Sequence, residues 1–139
     1  MRQRQHSITI HAQGRGFTNI TREIQQWISE GHIKTGMLNL FVQHTSCSLV
    51  VQENTDPDVL RDMEAFFSKL IPDGDTMFKH RAEGVDDMPA HIRMALTQVS
   101  LNIPVTEGRM ALGIWQGIYL YEHRLHTMNR QVQLHLTGE

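Results

Sequence analysis

His44-Thr45-Ser46-Cys47-Ser48-Leu49-Val50-Val51-Gln52-Glu53-Asn54-Thr55-Asp56-Pro57-Asp58 carries most of what the chain reveals about its fold. Just before it, Met37-Leu38-Asn39-Leu40-Phe41-Val42 is a nearly continuous apolar run, whose length suits a buried strand better than a helix. Within the stretch, residues 48–52 read as a second strand. Asp56-Pro57 then opens a helix, because Asp accepts a hydrogen bond from the free N–H groups of the first turn and Pro is tolerated at the first helical position. Val59, Met63, Phe66, Phe67 and Leu70 give that helix a stripe expected to be buried, and Pro72-Asp73-Gly74 stops it.

The same reading extends in both directions. Residues 4–11 alternate, with Ile8 and Ile10 on one face, as in a strand. Residues 19–30 place Ile20, Ile24, Trp27 and Ile28 at helical spacing, with Thr18 or Asn19 as cap and Gly31 as stop. Pro89 suggests another helix start, with Ile92, Leu96 and Val99 inward. Pro104 is expected to end that region and Gly108 to mark a turn. Residues 109–115 and 118–122 read as strands around a possible Gln116-Gly117 turn, and residues 130–136 alternate cleanly through Val132, Leu134 and Leu136. Successive strands without regular helical crossovers favour antiparallel pairing. The expected class is therefore α+β, a single domain over residues 1–139 with a mainly antiparallel core and about three helices.

Composition narrows the function. The chain has 139 residues, 40% hydrophobic and 20% charged, an ordinary balance for one globular domain. Its net charge of -2 and the lack of a long Lys/Arg run weigh against nucleic acid as a partner. No stretch approaches the roughly 18 apolar residues that span a bilayer, and the first residues lack an apolar signal core. Cys47 is the one cysteine, so no internal disulfide can form and a reducing, cytoplasmic setting is expected. Nine histidines are the unusual feature, and the question is which of them converge.

His44 leaves a core strand at its end, followed by two hydroxyls. It can act as a metal ligand or general base, with Thr45 and Ser46 donating to an anion, or the segment can be a plain turn with locally bonded hydroxyls. Asp87 and His91 are four apart near a helix start and can share a face, with His80 in the preceding connection. Imidazoles plus a carboxylate suit a divalent ion such as zinc; equally, Asp86 and Asp87 can serve as cap and dipole partner. Trp115 and Gln116 can stack on and read a flat heterocycle, or Trp115 can simply cover core. In the polar segment that starts at Glu122, Arg124 can clamp a phosphate or lie solvated. Cys47 reads as a buried thiol, since residues an odd number apart on a strand face opposite ways and His44 then does not touch it.

In order, these residues resemble the YjbQ-like family, a group often labelled secondary thiamine-phosphate synthases. The matching pieces are His44-Thr45-Ser46, Glu53-Asn54 with Asp56-Pro57-Asp58, His80, Glu83-Gly84, Asp87 and Ala90-His91-Ile92. They continue with Pro104, Gly108-Arg109, Leu112-Gly113 and Trp115-Gln116-Gly117-Ile118. The resemblance spans roughly residues 2–137. It implies an α+β fold with a β-sandwich-like core, a homotrimer, and a polar metal-binding pocket whose ligands carry over as His44, His80 and His91. Two departures stand out: Cys47 where a small residue such as Ala is common, and Ile114 where Thr often precedes Trp-Gln.

The implied activity joins a pyrimidine pyrophosphate to a thiazole phosphate, and it is weak or secondary. In that reading a divalent ion, Mg²⁺ or Zn²⁺, neutralises the leaving pyrophosphate. His44 and Asp87 take catalytic roles, while Thr45, Ser46, Trp115, Gln116, Glu122 and Arg124 hold a small phosphorylated substrate. The alternatives are a metal- or small-molecule-binding protein without fast chemistry and a metal-dependent hydrolase.

Overall fold

A computed structural model describes residues 1–139. Its elements are β1 (Arg2–Ala12), β2 (Gly16–Asn19), α1 (Thr21–Gly31), β3 (Gly36–Val42), β4 (Cys47–Glu53), α2 (Pro57–Leu70), α3 (Asp87–Leu96), β5 (Ser100–Thr106), β6 (Arg109–Met110), β7 (Gln116–Glu122) and β8 (Met128–Gly138). Five strands form one sheet in the order β1-β8-β3-β5-β6, and three form a second in the order β2-β7-β4. Every strand pair is antiparallel. The α+β class expected from the sequence holds.

Alternation decides which way each strand faces. In β8, Val132, Leu134 and Leu136 point inward with Arg130, and opposite them stand Leu38, Leu40 and Val42 of β3. The smaller sheet contributes Cys47 and Leu49 from β4 and Ile118 and Leu120 from β7. Helix α1 closes the core with Ile24, Trp27 and Ile28, the stripe read from its spacing. Together these residues form one contiguous core. At the start of β3, Gly36 pairs with Gly138, and a β-carbon on either would collide with the opposite backbone.

Five expectations need correction. Of Ile92, Leu96 and Val99, expected inward on one helix, Leu96 is 58% exposed and Val99 lies beyond the end of α3. Gln116 and Gly117 are not a turn: they begin β7, paired with Glu53 and Gln52. Of residues 109–115 only Arg109–Met110 is strand, because the chain leaves the sheet edge after a short pairing with β5. Pro104 lies inside β5, ring outward; its carbonyl accepts from Ala111, which shows that this backbone side faces the edge beyond the two-residue β6 pairing, where no ladder donor is required. The stripe on α2 is not buried, and Phe66 is 62% and Leu70 55% exposed. Polar side chains hold that helix down instead: Glu64 accepts from Arg93 Nη1 at 2.7 Å and from the Tyr121 hydroxyl at 2.7 Å. The Asp56 cap is as expected, accepting from the Asp58 N–H. No helix is long and apolar enough to cross a membrane.

Candidate metal and ligand site

Helix α3 starts at Asp87, so Asp87 and His91 do share a face one turn apart. The connection from α2 brings His80 back over that face. His80 Nε2 lies 2.6 Å and His91 Nε2 3.1 Å from the same oxygen, Oδ2 of Asp87. The ligand atoms of these three residues lie within 4.8 Å of one another. The two rings are partly exposed while Asp87 is buried. His91 Nδ1 contacts the Thr45 carbonyl at 2.8 Å, tying the cluster to the segment that follows β3.

Asp87 is anchored from behind. Arg124 Nη1 reaches its Oδ1 at 2.8 Å, while Arg124 Nε donates to Asp86 Oδ2 at 3.0 Å and Nη2 to the Glu83 carbonyl. Burial alone would raise the Asp87 carboxyl, but the hydrogen bond to His80 and the charge of Arg124 hold it below its ordinary value. Arg124 is thus neither a solvated surface residue nor free to clamp a phosphate: it is buried and spends its donors on Asp86, Asp87 and backbone.

Glu122 and Ser46 are also engaged inside the protein. Arg130 Nε donates to Glu122 Oε1 and Nη2 to Oε2, both at 2.6 Å, and Nη2 also reaches the Ser46 hydroxyl at 2.8 Å. Glu122 Oε2 further accepts the N–H groups of His123 and Arg124. Both members of this pair are almost fully buried. Replacing one member of such a pair strands the other charge in the interior.

His44 stands apart from the three-residue cluster. Its Nε2 accepts the Gln131 N–H at 2.8 Å, so a neutral ring carries its proton on Nδ1. Burial and the nearby Arg130 charge lower its pKa. With Thr45, Ser46 and Arg130 it lines a groove of about 500 Å³. Trp115 and Gln116 are elsewhere. Gln116 pairs with Glu53 at one end of the β4–β7 ladder and Glu122 with Cys47 at the other. Six residues of strand put those ends about 20 Å apart. Trp115 is 57% exposed and Gln116 accepts the Gly113 N–H.

Sequence reading missed Arg130 and His123. Arg130 had a signal, since it falls on the inward-facing side of the alternation that runs through Val132, Leu134 and Leu136. His123 had none. It is fully buried against Tyr121, its Nε2 2.8 Å from the Ser48 hydroxyl, and burial together with Arg93, Arg15 and Arg130 pushes its pKa down to about 3.

The model of the family described as UPF0047 protein YjbQ-like matches residues 6–139. The chain belongs to this family. Among its YjbQ-like relatives, the UPF0047 protein sll1880 of Synechocystis is 47% identical over 138 residues, covering 99% of this chain and 94% of the relative. The UPF0047 protein YjbQ of Escherichia coli O157:H7 is 43% identical over 136 residues, 97% and 98% of the two chains. The crystal structure of TT1486 from Thermus thermophilus superposes with a TM-score of 0.83 at 36% identity, covering 93% of this chain and 97% of that one. APE1520 from Aeropyrum pernix gives 0.88 at 29% identity, with 98% and 99% covered. Membership in the YjbQ-like family fixes the fold and leaves the reaction to be argued from the site.

Proposed function

We propose that His80, Asp87 and His91 hold a divalent cation, and that the protein is a metal-dependent transferase acting on a small phosphorylated substrate. The hydrogen bond of His91 carries this reading. A carbonyl oxygen can only accept, so a neutral His91 keeps its proton on Nδ1, toward Thr45. Its Nε2 then turns a bare lone pair to a carboxylate oxygen at 3.1 Å. Two acceptors do not hold such a contact; a cation between them, or a second proton on the ring, does. An imidazole that donates its other N–H to a backbone carbonyl is the usual arrangement of a metal-bound histidine.

Two imidazoles and one carboxylate favour Zn²⁺ over Mg²⁺, which prefers an all-oxygen set. Such an ion supplies Lewis acidity toward phosphate oxygens. The chain's own groups orient the donors: Arg124 holds Asp87 and the Thr45 carbonyl holds His91. His44 is proposed to act beside this centre as a donor to substrate, not as a fourth ligand.

The family resemblance supports one specific reaction, the joining of a pyrimidine pyrophosphate to a thiazole phosphate. Pyrophosphate release that needs both substrates and added metal would support it. Release of phosphate from one substrate with water as acceptor would move the assignment to a hydrolase. Tight ligand binding without turnover would make the protein a binding module. The unpaired, buried Cys47 thiol suits a cytoplasmic setting.

The assembly we propose is a homotrimer built on the outer face of the five-stranded sheet. That face is uncovered within the chain. It presents alternate residues from Gln3 to His11, from Asn129 to Thr137, from Met37 to Phe41 and from Ser100 to Thr106. None of these residues of β1, β8, β3 and β5 is Asp, Glu, Lys or Arg, although such residues make up 20% of the chain; the one charge on the face is Arg109 of β6, at its edge beside Thr106. Amide and hydroxyl groups cross-bond along it, as between Asn39 and Asn102 and between Ser7 and Gln131. Depletion of charge marks interface cores. Strand spacing and rise give the face on the order of 600 Å² in projection, near the roughly 800 Å² per partner of a standard interface. Trp115 and Gln116 would meet a substrate held at the cluster only across such a subunit boundary.

A further inference from the structure

We infer that the groove beside the cluster is a second binding site, which takes the oxyanion of a small molecule with an apolar body. The inference deepens the metal reading by naming the part of the ligand that lies away from the ion, and rests on that reading only for the ligand being a substrate. Three lining residues keep a donor that no protein group takes. Gln131 occupies Nε2 of His44, which leaves the Nδ1–H for a ligand. The Thr45 side chain is exposed at the rim. Arg130, which lines the groove, spends Nε and Nη2 on Glu122 and Ser46 and leaves Nη1 without a protein partner.

The acceptors nearby are already used. Both oxygens of Glu122 receive donors from Arg130, His123 and Arg124, and no Asp or Glu lines the groove. Asp87, the other carboxylate near Arg130, is turned to His80, His91 and Arg124. The hydrocarbon in the lining comes from Phe41, Val42, Met94 and Val99. A lining that combines unpaired donors with hydrocarbon matches an anion attached to a ring or chain, not a free inorganic ion. Fixed, partly desolvated donors are the kind that bind carboxylate or phosphate oxygen well. The Thr45 carbonyl, which receives His91, places the anion next to the cluster.

The test titrates phenyl phosphate, benzoate and inorganic phosphate into the full chain freed of metal by chelation, read by calorimetry and by the Met94 methyl resonance. Phenyl phosphate or benzoate should bind and move that resonance, and inorganic phosphate should bind more weakly. Thr45→Val should weaken the aromatic probe severalfold, and Met94→Glu, which sets a carboxylate in the groove, by about tenfold or more. Asp87→Asn should leave the affinity within about twofold, since it removes no groove donor. That variant separates the two claims, because it abolishes the proposed metal site without touching this one. No binding to the parent chain, equal binding to the Thr45 and Met94 variants, or loss only in Asp87→Asn would each overturn the inference. Inorganic phosphate binding as tightly as phenyl phosphate would also overturn it, by removing the role of the hydrocarbon lining.

Discussion

Arg124 Nη1 sits 2.8 Å from Oδ1 of Asp87, on the side of the carboxylate away from the two imidazoles. The carboxylate is 2% and the guanidinium 10% exposed, so the pair is anchored below the surface. Arg124→Gln strands Asp87 and Asp86 together. It should destabilise the fold by about 3 kcal/mol or more and free Asp87 to swing. Urea unfolding of parent and variant measures the loss. An unchanged midpoint would show the contact to be incidental.

Asp87→Asn keeps the size of the side chain but removes the charge that two imidazoles share. Metal content, by elemental analysis after dialysis against Zn²⁺, should fall from about one ion per chain to a small fraction. His80→Ala and His91→Ala should each weaken binding strongly. His44→Ala should change metal content little, because His44 lies outside the group of converging ligand atoms. Full metal content in the Asp87, His80 and His91 variants alike would remove the proposed centre.

His123 should make the fold acid-sensitive well above the carboxylate range. Its folded pKa is pushed down to about 3, while a free imidazole titrates near 6.5. Between those values the unfolded chain binds a proton that the folded chain refuses. Stability is therefore full above about pH 6.5 and falls as pH drops through this window, by up to about 1.4 kcal/mol per unit. His44, also lowered, acts in the same direction. His123→Gln, which keeps an acceptor for Ser48, should flatten the slope of unfolding free energy between about pH 6 and pH 4.5. A variant whose slope matches the parent would mean that the imidazole is charged in the fold.

Cys47 is fully buried, and burial pushes its thiol up to about 12. It has no thiolate at neutral pH and no exposed surface. Cys47→Ala should retain activity, cost about 1 kcal/mol of stability, and leave a parent protein that alkylates slowly unless unfolded. Loss of activity in a folded Cys47→Ala chain would make the thiol part of the mechanism.

Asn39 and Asn102 bond across β3 and β5 in the charge-poor outer face. Asn102→Glu adds a charge that neither the fold nor its neighbours need to exclude, so the subunit should remain folded. In a trimer that charge is buried three times over, and sedimentation equilibrium should shift from trimer toward the 16.0 kDa monomer. A monomeric parent chain would contradict the assembly outright.

Local pattern determined much of this protein. The apolar run 37–42 is β3, Asp56-Pro57 does open α2, and Ile24, Trp27 and Ile28 do face inward, because alternation, caps and helical spacing act over a few residues. The i, i+4 spacing of Asp87 and His91 put them on one face for the same reason. Tertiary structure decided whatever depended on distant partners. His80 joins that pair because a connection folds back, whereas His44 is held off by Gln131, 87 residues away. Arg124 and Glu122 look like solvated, ligand-ready side chains in sequence, yet each is consumed by a buried partner, Asp86 with Asp87 and Arg130. Gln116 and Glu122 are near in sequence but lie at opposite ends of an extended strand. Desolvation drives these outcomes, since a charge carried into the interior must find its opposite there, and which residue supplies it is set by chain topology.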